Sequence, residues 1–274
     1  MKVLIAGSGG MGSRFGVALH KGGADVILFD VNKEHIDTIN KNGLEVHSDG
    51  KTDIYKLPAC SSTGCLEGIT HIMIFTKSIH TKSALETIKT LLSDDVILIS
   101  MQNGLGNIEM LREAAPNCPI IAGITNYTAG FSKAGVIIAD GSGITKIQAL
   151  PPANPKIADE FVEVLHKGGM TGDVVNDIDN HIWGKIAFNA ALNTITTLTG
   201  LSVGFVGGTP ESREMAFNVA KDVAKIARAS GVNLSDEEVC DSIKSVMKPE
   251  MSANHYPSMF QDVSASRKTE AETI

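Results

Sequence analysis

A short apolar run, Lys2 to Ala6, leads straight into Gly7-Ser8-Gly9-Gly10-Met11-Gly12, and a helical pattern follows through His20. Strand, glycine turn and helix in immediate succession constrain this chain more than any other feature, because each glycine has a separate physical task. Gly7 permits a tight turn, Gly9 lets the backbone approach a pyrophosphate, and Gly12 lets helix and strand pack closely. The pyrophosphate then rests on the helix N-terminus, among unpaired N–H groups and the positive end of the dipole, with Ser8, Gly10 and Met11 completing the loop. A second strand, Asp25 to Phe29, ends at Asp30, the spacing at which an acid reads the adenosine ribose. A glycine-rich surface turn between unrelated elements is the competing interpretation, and the flanking strand and helix speak against it.

A carboxylate at Asp30 accepts hydrogen bonds from both ribose hydroxyls and repels a 2′-phosphate, which favours NAD(H) over NADP(H). Asn32 and Lys33 follow at once and are able to turn toward a phosphate, so the residues by themselves leave both cofactors open.

Residues 71–76 and 95–100 are continuous apolar runs, as strands of a parallel sheet buried on both faces should be. Helical patterns separate the strands, including one over 81–92, and this is the alternation of a doubly wound fold. Further short strands are expected at 120–124, 136–139 and 144–150, the last two joined by glycine turns that suggest a mixed or antiparallel edge. A helix follows from Pro155 to about residue 166, then a strand at 172–175. From Asp177 onward the pattern is helical only, with a loop at Gly200, Gly204, Gly207 and Gly208. Thr209-Pro210 opens a helix that stops at Gly231, and Ser235-Asp236-Glu237-Glu238 is a capping box. The chain therefore reads as α/β, with an N-terminal Rossmann-type doubly wound sheet over 1–176 and a C-terminal all-helical domain over 177–274.

That second domain carries an unusual helix. Lys185, Asn189 and Asn193 recur at four-residue spacing between Trp183, Phe188 and other apolar residues, so they share one face of a helix whose remainder is greasy. An ammonium or an amide buried without a partner costs several kcal/mol, roughly 2–7 for an amide, so something polar must lie opposite. A solvated stripe on an amphipathic helix is the alternative.

A net charge of −7 without a basic cluster argues against nucleic acid or an anionic membrane as partner, and no apolar stretch approaches the ~20 residues of a membrane span. A small-molecule substrate and a cytoplasmic location are expected, and a homodimer stays open. Cys60, Cys65, Cys118 and Cys240 show neither C-x-x-C nor zinc spacing and read as free thiols. The eight histidines form no recognisable ligand set, so no metal is expected.

With these residues in place, the chain resembles the ketopantoate reductase (2-dehydropantoate 2-reductase) family from end to end. The resemblance rests on the glycine turn, Thr76-Lys77-Ser78, Gln102-Asn103-Gly104-Leu105-Gly106, Trp183-Gly184-Lys185 with Asn189 and Asn193, and Pro257-Ser258-Met259-Phe260-Gln261-Asp262 with Arg267 and Glu270. It implies an NADPH-dependent reduction of the ketone of 2-dehydropantoate to (R)-pantoate, on the route to pantothenate and coenzyme A, with substrate held between a Rossmann domain and a helical domain. Catalysis would fall to Lys185 and Glu270. Asn103, Asn189, Asn193, Ser258 and His255 would contact the substrate, a 2-keto acid, with Asn103 also reaching the nicotinamide ribose. Lys77 would lie near the nicotinamide. A hydride delivered to a ketone leaves an alkoxide, and a lysine whose pKa is lowered by desolvation suits the role of proton donor.

The chain departs from the family's pattern in three places. His255 and Pro257 stand where an asparagine and a serine are usual, which leaves a related branched 2-keto acid open as substrate. Asp30-Val31 replaces a basic residue. The chain also stops four residues after Glu270, so the helix expected to carry Glu270, which if continuous would begin at Ser258, is expected to fray and activity to be weak as a result. A D-2-hydroxyacid dehydrogenase and a non-catalytic NAD(P)H-binding protein are the alternative functions.

Overall fold

A computed structural model describes residues 1–64, 66–248 and 252–274; the thiol expected at Cys65 lies outside the described residues. The larger sheet runs, in spatial order, Gly172–Val174, Thr145–Leu150, Ile120–Thr125, Ile97–Ser100, His71–Ile74, Lys2–Ala6, Asp25–Phe29 and Ala59–Cys60. All neighbours pair in parallel except Ile120–Thr125 with Thr145–Leu150, which are antiparallel in register Thr145 opposite Thr125. The first strand is thus central, with the chain running outward from it first to one side and then to the other. This is the doubly wound order expected, and the point of reversal is where such folds bind ligands. The central strands are buried on both faces, which is why they read as unbroken apolar runs: Val3, Leu4, Ile5, Ile72, Met73, Ile74, Leu98 and Ile99 are all 0% exposed.

A smaller sheet was not legible in the pattern. Lys51–Tyr55, Leu44–Ser48, Val136–Ile138 and Gly130–Lys133 pair in that order. Its two outer strands bury no residue, so they lack the apolar alternation by which a strand announces itself. The run expected at 136–139 joins this sheet rather than the large one.

By its contacts the chain forms two compact units, residues 1–102 with 106–178, and Asn103–Leu105 with Asp179–Ile274. Among the described residues the second unit holds helices and no strand. Its core gathers Ala187, Ala191 and Leu192 of the helix Ile178–Thr199 with Ala216, Ala220, Ala224 and Ala227 of the helix Pro210–Ala229. Ser235 caps the helix Asp236–Val246 in a full capping box, as expected.

Two expectations are corrected. The glycines at 204, 207 and 208 do not make a loop: Val203–Gly208 is a short helix whose N-cap, Ser202, accepts from the Phe205 N–H. A Cβ on Gly204 would lie 2.8 Å from the Ser252 carbonyl carbon and one on Gly207 2.6 Å from the Met247 Cβ. Close helix packing, not turn chemistry, calls for these glycines.

Glu270, for its part, does not lie on a helix continuous with Ser258. The helix Ser258–Ser264 ends in a Schellman motif, with Ser266 left-handed at φ 54°, its N–H on the Val263 carbonyl at 3.0 Å, and the Arg267 N–H on the Asp262 carbonyl at 2.8 Å. The Arg267 Nε also donates to Asp262 Oδ1 at 2.8 Å, folding the chain back before Glu270.

Candidate functional site

The glycine turn is built as the motif demands. Gly7 has φ 97° and its N–H donates to the Phe29 carbonyl at 2.8 Å, while a Cβ there would meet the Thr76 nitrogen at 2.6 Å. A Cβ on Gly12 would strike the Gly7 carbonyl oxygen, so only glycine lets helix Gly10–Lys21 sit this close to its strand. On Gly10 a Cβ would lie 2.8 Å from the Ala129 carbonyl oxygen; on Gly9 it would meet nothing within 4 Å. Gly9 is therefore the open position, and it N-caps a helix with no acidic residue in its first turn. Ser8 and Thr76 flank the turn with buried hydroxyls that have no hydrogen-bond partner. The loop, its open Gly9 and its two unmatched hydroxyls fit a pyrophosphate group.

Arg14, one helical turn further on, secures the neighbouring loop. Its guanidinium donates to the carbonyls of Thr128, Asp140 (2.9 Å) and Gly141, and it lies 4.7 Å from the centroid of the Tyr127 ring.

Asp30 is partly exposed just past its strand, and its Oδ1 accepts from the Asn32 N–H at 2.9 Å. Asn32 is itself committed, since its Oδ1 caps helix Lys33–Asn42 through the His35 N–H at 3.1 Å. Both residues expected to be able to turn toward a phosphate are exposed, Lys33 with its ammonium and Asn32 with its Nδ2, since only the Asn32 Oδ1 is spent on the cap. Val31 beside them is 82% exposed, an apolar surface next to the acid. Lys77 is partly buried and precedes the 3-10 turn Ser78–His80.

In the second unit, Lys185, Asn189 and Asn193 lie on one 22-residue helix, as their spacing requires, with Asn189 8% and Asn193 2% exposed. Burial pulls the Lys185 ammonium down from 10.5 to about 8, and the nearby Glu270 carboxylate opposes that fall. Thr197 continues the same spacing and was missed; its hydroxyl is buried without a hydrogen-bond partner. The signal was present in the four-residue repeat, but threonine in a helix is too common to single out.

Glu270 is held by backbone. Its carbonyl accepts from the Thr273 N–H at 3.0 Å and from the Thr273 hydroxyl at 3.0 Å, and the Thr273 carbonyl accepts from the Leu105 N–H at 2.8 Å. Gly104, at φ 83°, lets Thr273 approach where a Cβ would stand 2.9 Å from the Thr273 Cβ. The turn that carries Asn103 and the segment that carries Glu270 are thereby tied together in one unit. His255 and Ser258 are exposed; His255 lines an open depression of about 550 Å³ with the stacked pair Tyr256 and Phe260, whose ring centroids are 4.5 Å apart.

Among the described residues there is no group of three or more His, Cys, Asp or Glu placed to hold a metal ion, and no helix long and apolar enough to cross a membrane.

Comparison with known proteins identifies relatives along the whole chain. The family model described as ketopantoate reductase PanE/ApbA matches residues 3–152, and that of its C-terminal domain matches 177–274. The 2-dehydropantoate 2-reductases of Streptococcus pyogenes serotype M1 and of Lactococcus lactis subsp. lactis are each 30% identical, over 100% of this chain and 89% of theirs. A solved structure of D-mandelate dehydrogenase with NADH and anilino(oxo)acetate is 31% identical, with TM-score 0.94 over 100% of this chain and 89% of that one. With both halves matched, and with the glycine turn and the Lys185 helix in the matched segments, the chain belongs to the ketopantoate reductase family.

Proposed function

We propose that this chain is an NAD(P)H-dependent oxidoreductase that reduces the ketone of a branched 2-keto acid, 2-dehydropantoate, to the 2-hydroxy acid (R)-pantoate. The observation that carries the proposal is Lys185: an ammonium drawn down to about 8 by burial, on a helix face with two buried asparagines, and facing a carboxylate. The glycine turn and Asp30 hold the dinucleotide, which when bound supplies the hydride for the carbonyl carbon. Lys185 Nζ gives its proton to the carbonyl oxygen as negative charge develops there, and the amide groups of Asn189 and Asn193 donate hydrogen bonds to the substrate's oxygens. Glu270 keeps the lysine charged and in place. Asn103, on the turn that Glu270's segment grips, is suited to hold the substrate near the nicotinamide ribose. The reaction is placed in the cytoplasm, where the thiols of Cys118 and Cys240 are kept reduced.

A second reading has its own support. The likeness to D-mandelate dehydrogenase, together with Asp30 in place of a basic residue, favours an NADH-dependent D-2-hydroxyacid dehydrogenase acting on another branched or aryl 2-keto acid. Following loss of NADH and of NADPH absorbance with 2-dehydropantoate and with other 2-keto acids separates the two. Turnover of 2-dehydropantoate at the highest kcat/KM supports the first, a preference for another 2-keto acid the second, and no turnover of any overturns both.

A further inference from the structure

His35 is 1% exposed on helix Lys33–Asn42, and both of its ring nitrogens are engaged. Nδ1 lies 2.9 Å from the backbone nitrogen of Gly135, whose N–H donates to it. Nδ1 is therefore the acceptor nitrogen of a neutral ring, and the proton sits on Nε2. Nε2 is 2.8 Å from the carbonyl oxygen of Ser8 and donates to it. The same oxygen accepts a second hydrogen bond, from Ser13 Oγ at 2.7 Å. The His35 ring is also held by an edge contact with Phe131, at 5.0 Å between centroids. Gly135 reaches the ring because it has no side chain: its φ is 74° and a Cβ would stand 2.5 Å from Thr38 Cγ2.

The Ser8 carbonyl and the Gly9 N–H belong to one planar trans peptide, in which C=O and N–H point in opposite directions. Two donors fix the direction of the Ser8 oxygen, so the Gly9 N–H must point the other way. Gly9 is the one position of the turn where a Cβ would meet nothing within 4 Å, in contrast to Gly7, Gly10 and Gly12. A fixed donor at an open backbone position, one residue before a helix N-terminus, is an anion-binding device.

We propose that His35, with Ser13, is a positioning residue for cofactor binding: by clamping the Ser8 carbonyl it aims the Gly9 amide at the pyrophosphate of the dinucleotide. The inference rests on the proposed function only in taking the glycine turn as the dinucleotide site. Neither His35 nor Ser13 touches the cofactor, and their effect passes through one peptide plane.

The test is a set of binding titrations on the full chain with NADH, NADPH, ADP-ribose and adenosine. His35→Leu removes both ring hydrogen bonds, Ser13→Ala removes the second clamp, and His35→Gln keeps an N–H able to reach the Ser8 oxygen. One lost clamp is expected to raise Kd for NADH, NADPH and ADP-ribose about tenfold, the weight of one well-placed hydrogen bond. Adenosine, which has no phosphate, is expected to compete equally with wild type and variants, and His35→Gln to recover most of the affinity. Unchanged dinucleotide affinity in His35→Leu and Ser13→Ala overturns the proposal. So does an equal loss for adenosine and ADP-ribose, which would mark general damage to the fold. If wild type binds none of the dinucleotides, the cofactor site itself is wrong and the proposal falls with it.

Discussion

Glu270 opposes what burial does to Lys185: desolvation draws the ammonium down, the carboxylate holds it up, and the balance stands at about 8. The donor form is the ammonium, present below the folded-state value and lost above it. Ketone reduction is therefore expected to hold its rate at lower pH and to fall as pH rises through about 8, while oxidation of the hydroxy acid, which needs the neutral amine, rises through the same point. Glu270→Gln removes the carboxylate charge that holds the value up, so the fall moves to lower pH. The pH profiles of kcat for wild type and variant decide this; an identical profile for both would detach Glu270 from Lys185.

Lys185→Ala is expected to lower kcat by a factor on the order of 10² to 10⁴, the usual worth of a positioned acid, and to leave Kd for the dinucleotide within about twofold. Steady-state kinetics paired with a cofactor titration check both halves. Near-wild-type turnover would remove Lys185 from the chemistry.

Gly104→Ala forces an L side chain into φ 83° and into the backbone of Thr273, whose carbonyl the Leu105 N–H holds at 2.8 Å. Displacing Thr273 displaces Glu270. The variant is expected to lose kcat by about tenfold or more and to show the same shift in its pH profile as Glu270→Gln. A loss of thermal stability with an unshifted profile would mean that this turn supports the fold and not the site.

Asp30 holds its place through the Asn32 N–H, which keeps its carboxylate beside the ribose site, where it repels a 2′-phosphate. NADH is expected to give the higher kcat/KM, and Asp30→Ser to raise kcat/KM with NADPH by about tenfold while lowering it with NADH. A wild-type preference for NADPH would show that Lys33 receives the phosphate instead.

Much of this protein was set by local pattern. The glycines at 7, 9 and 12 follow a strand and open a helix, and at 7 and 12 the structure supplies the steric reason in the atoms a Cβ would strike. The central strands are apolar throughout because both faces are covered, and the spacing of Lys185, Asn189 and Asn193 can place them together on nothing but a helix. Periodicity of this kind survives in sequence because burial and backbone geometry act on neighbouring residues.

Tertiary structure decided the rest, wherever a residue's role depends on a partner far along the chain. The strands Lys51–Tyr55 and Gly130–Lys133 fully bury no residue and are set by their pairing with distant strands. Gly204 and Gly207 look like loop breakers until Ser252 and Met247 are seen against them. Helix Ser258–Ser264 stops on a serine in the left-handed region, a conformation usually signalled by glycine, so Glu270 reaches Lys185 from a turn pinned to Leu105 and not from a helix. His35 shows the limit most directly: its two hydrogen bonds go to Ser8 and Gly135, and no window of sequence contains all three.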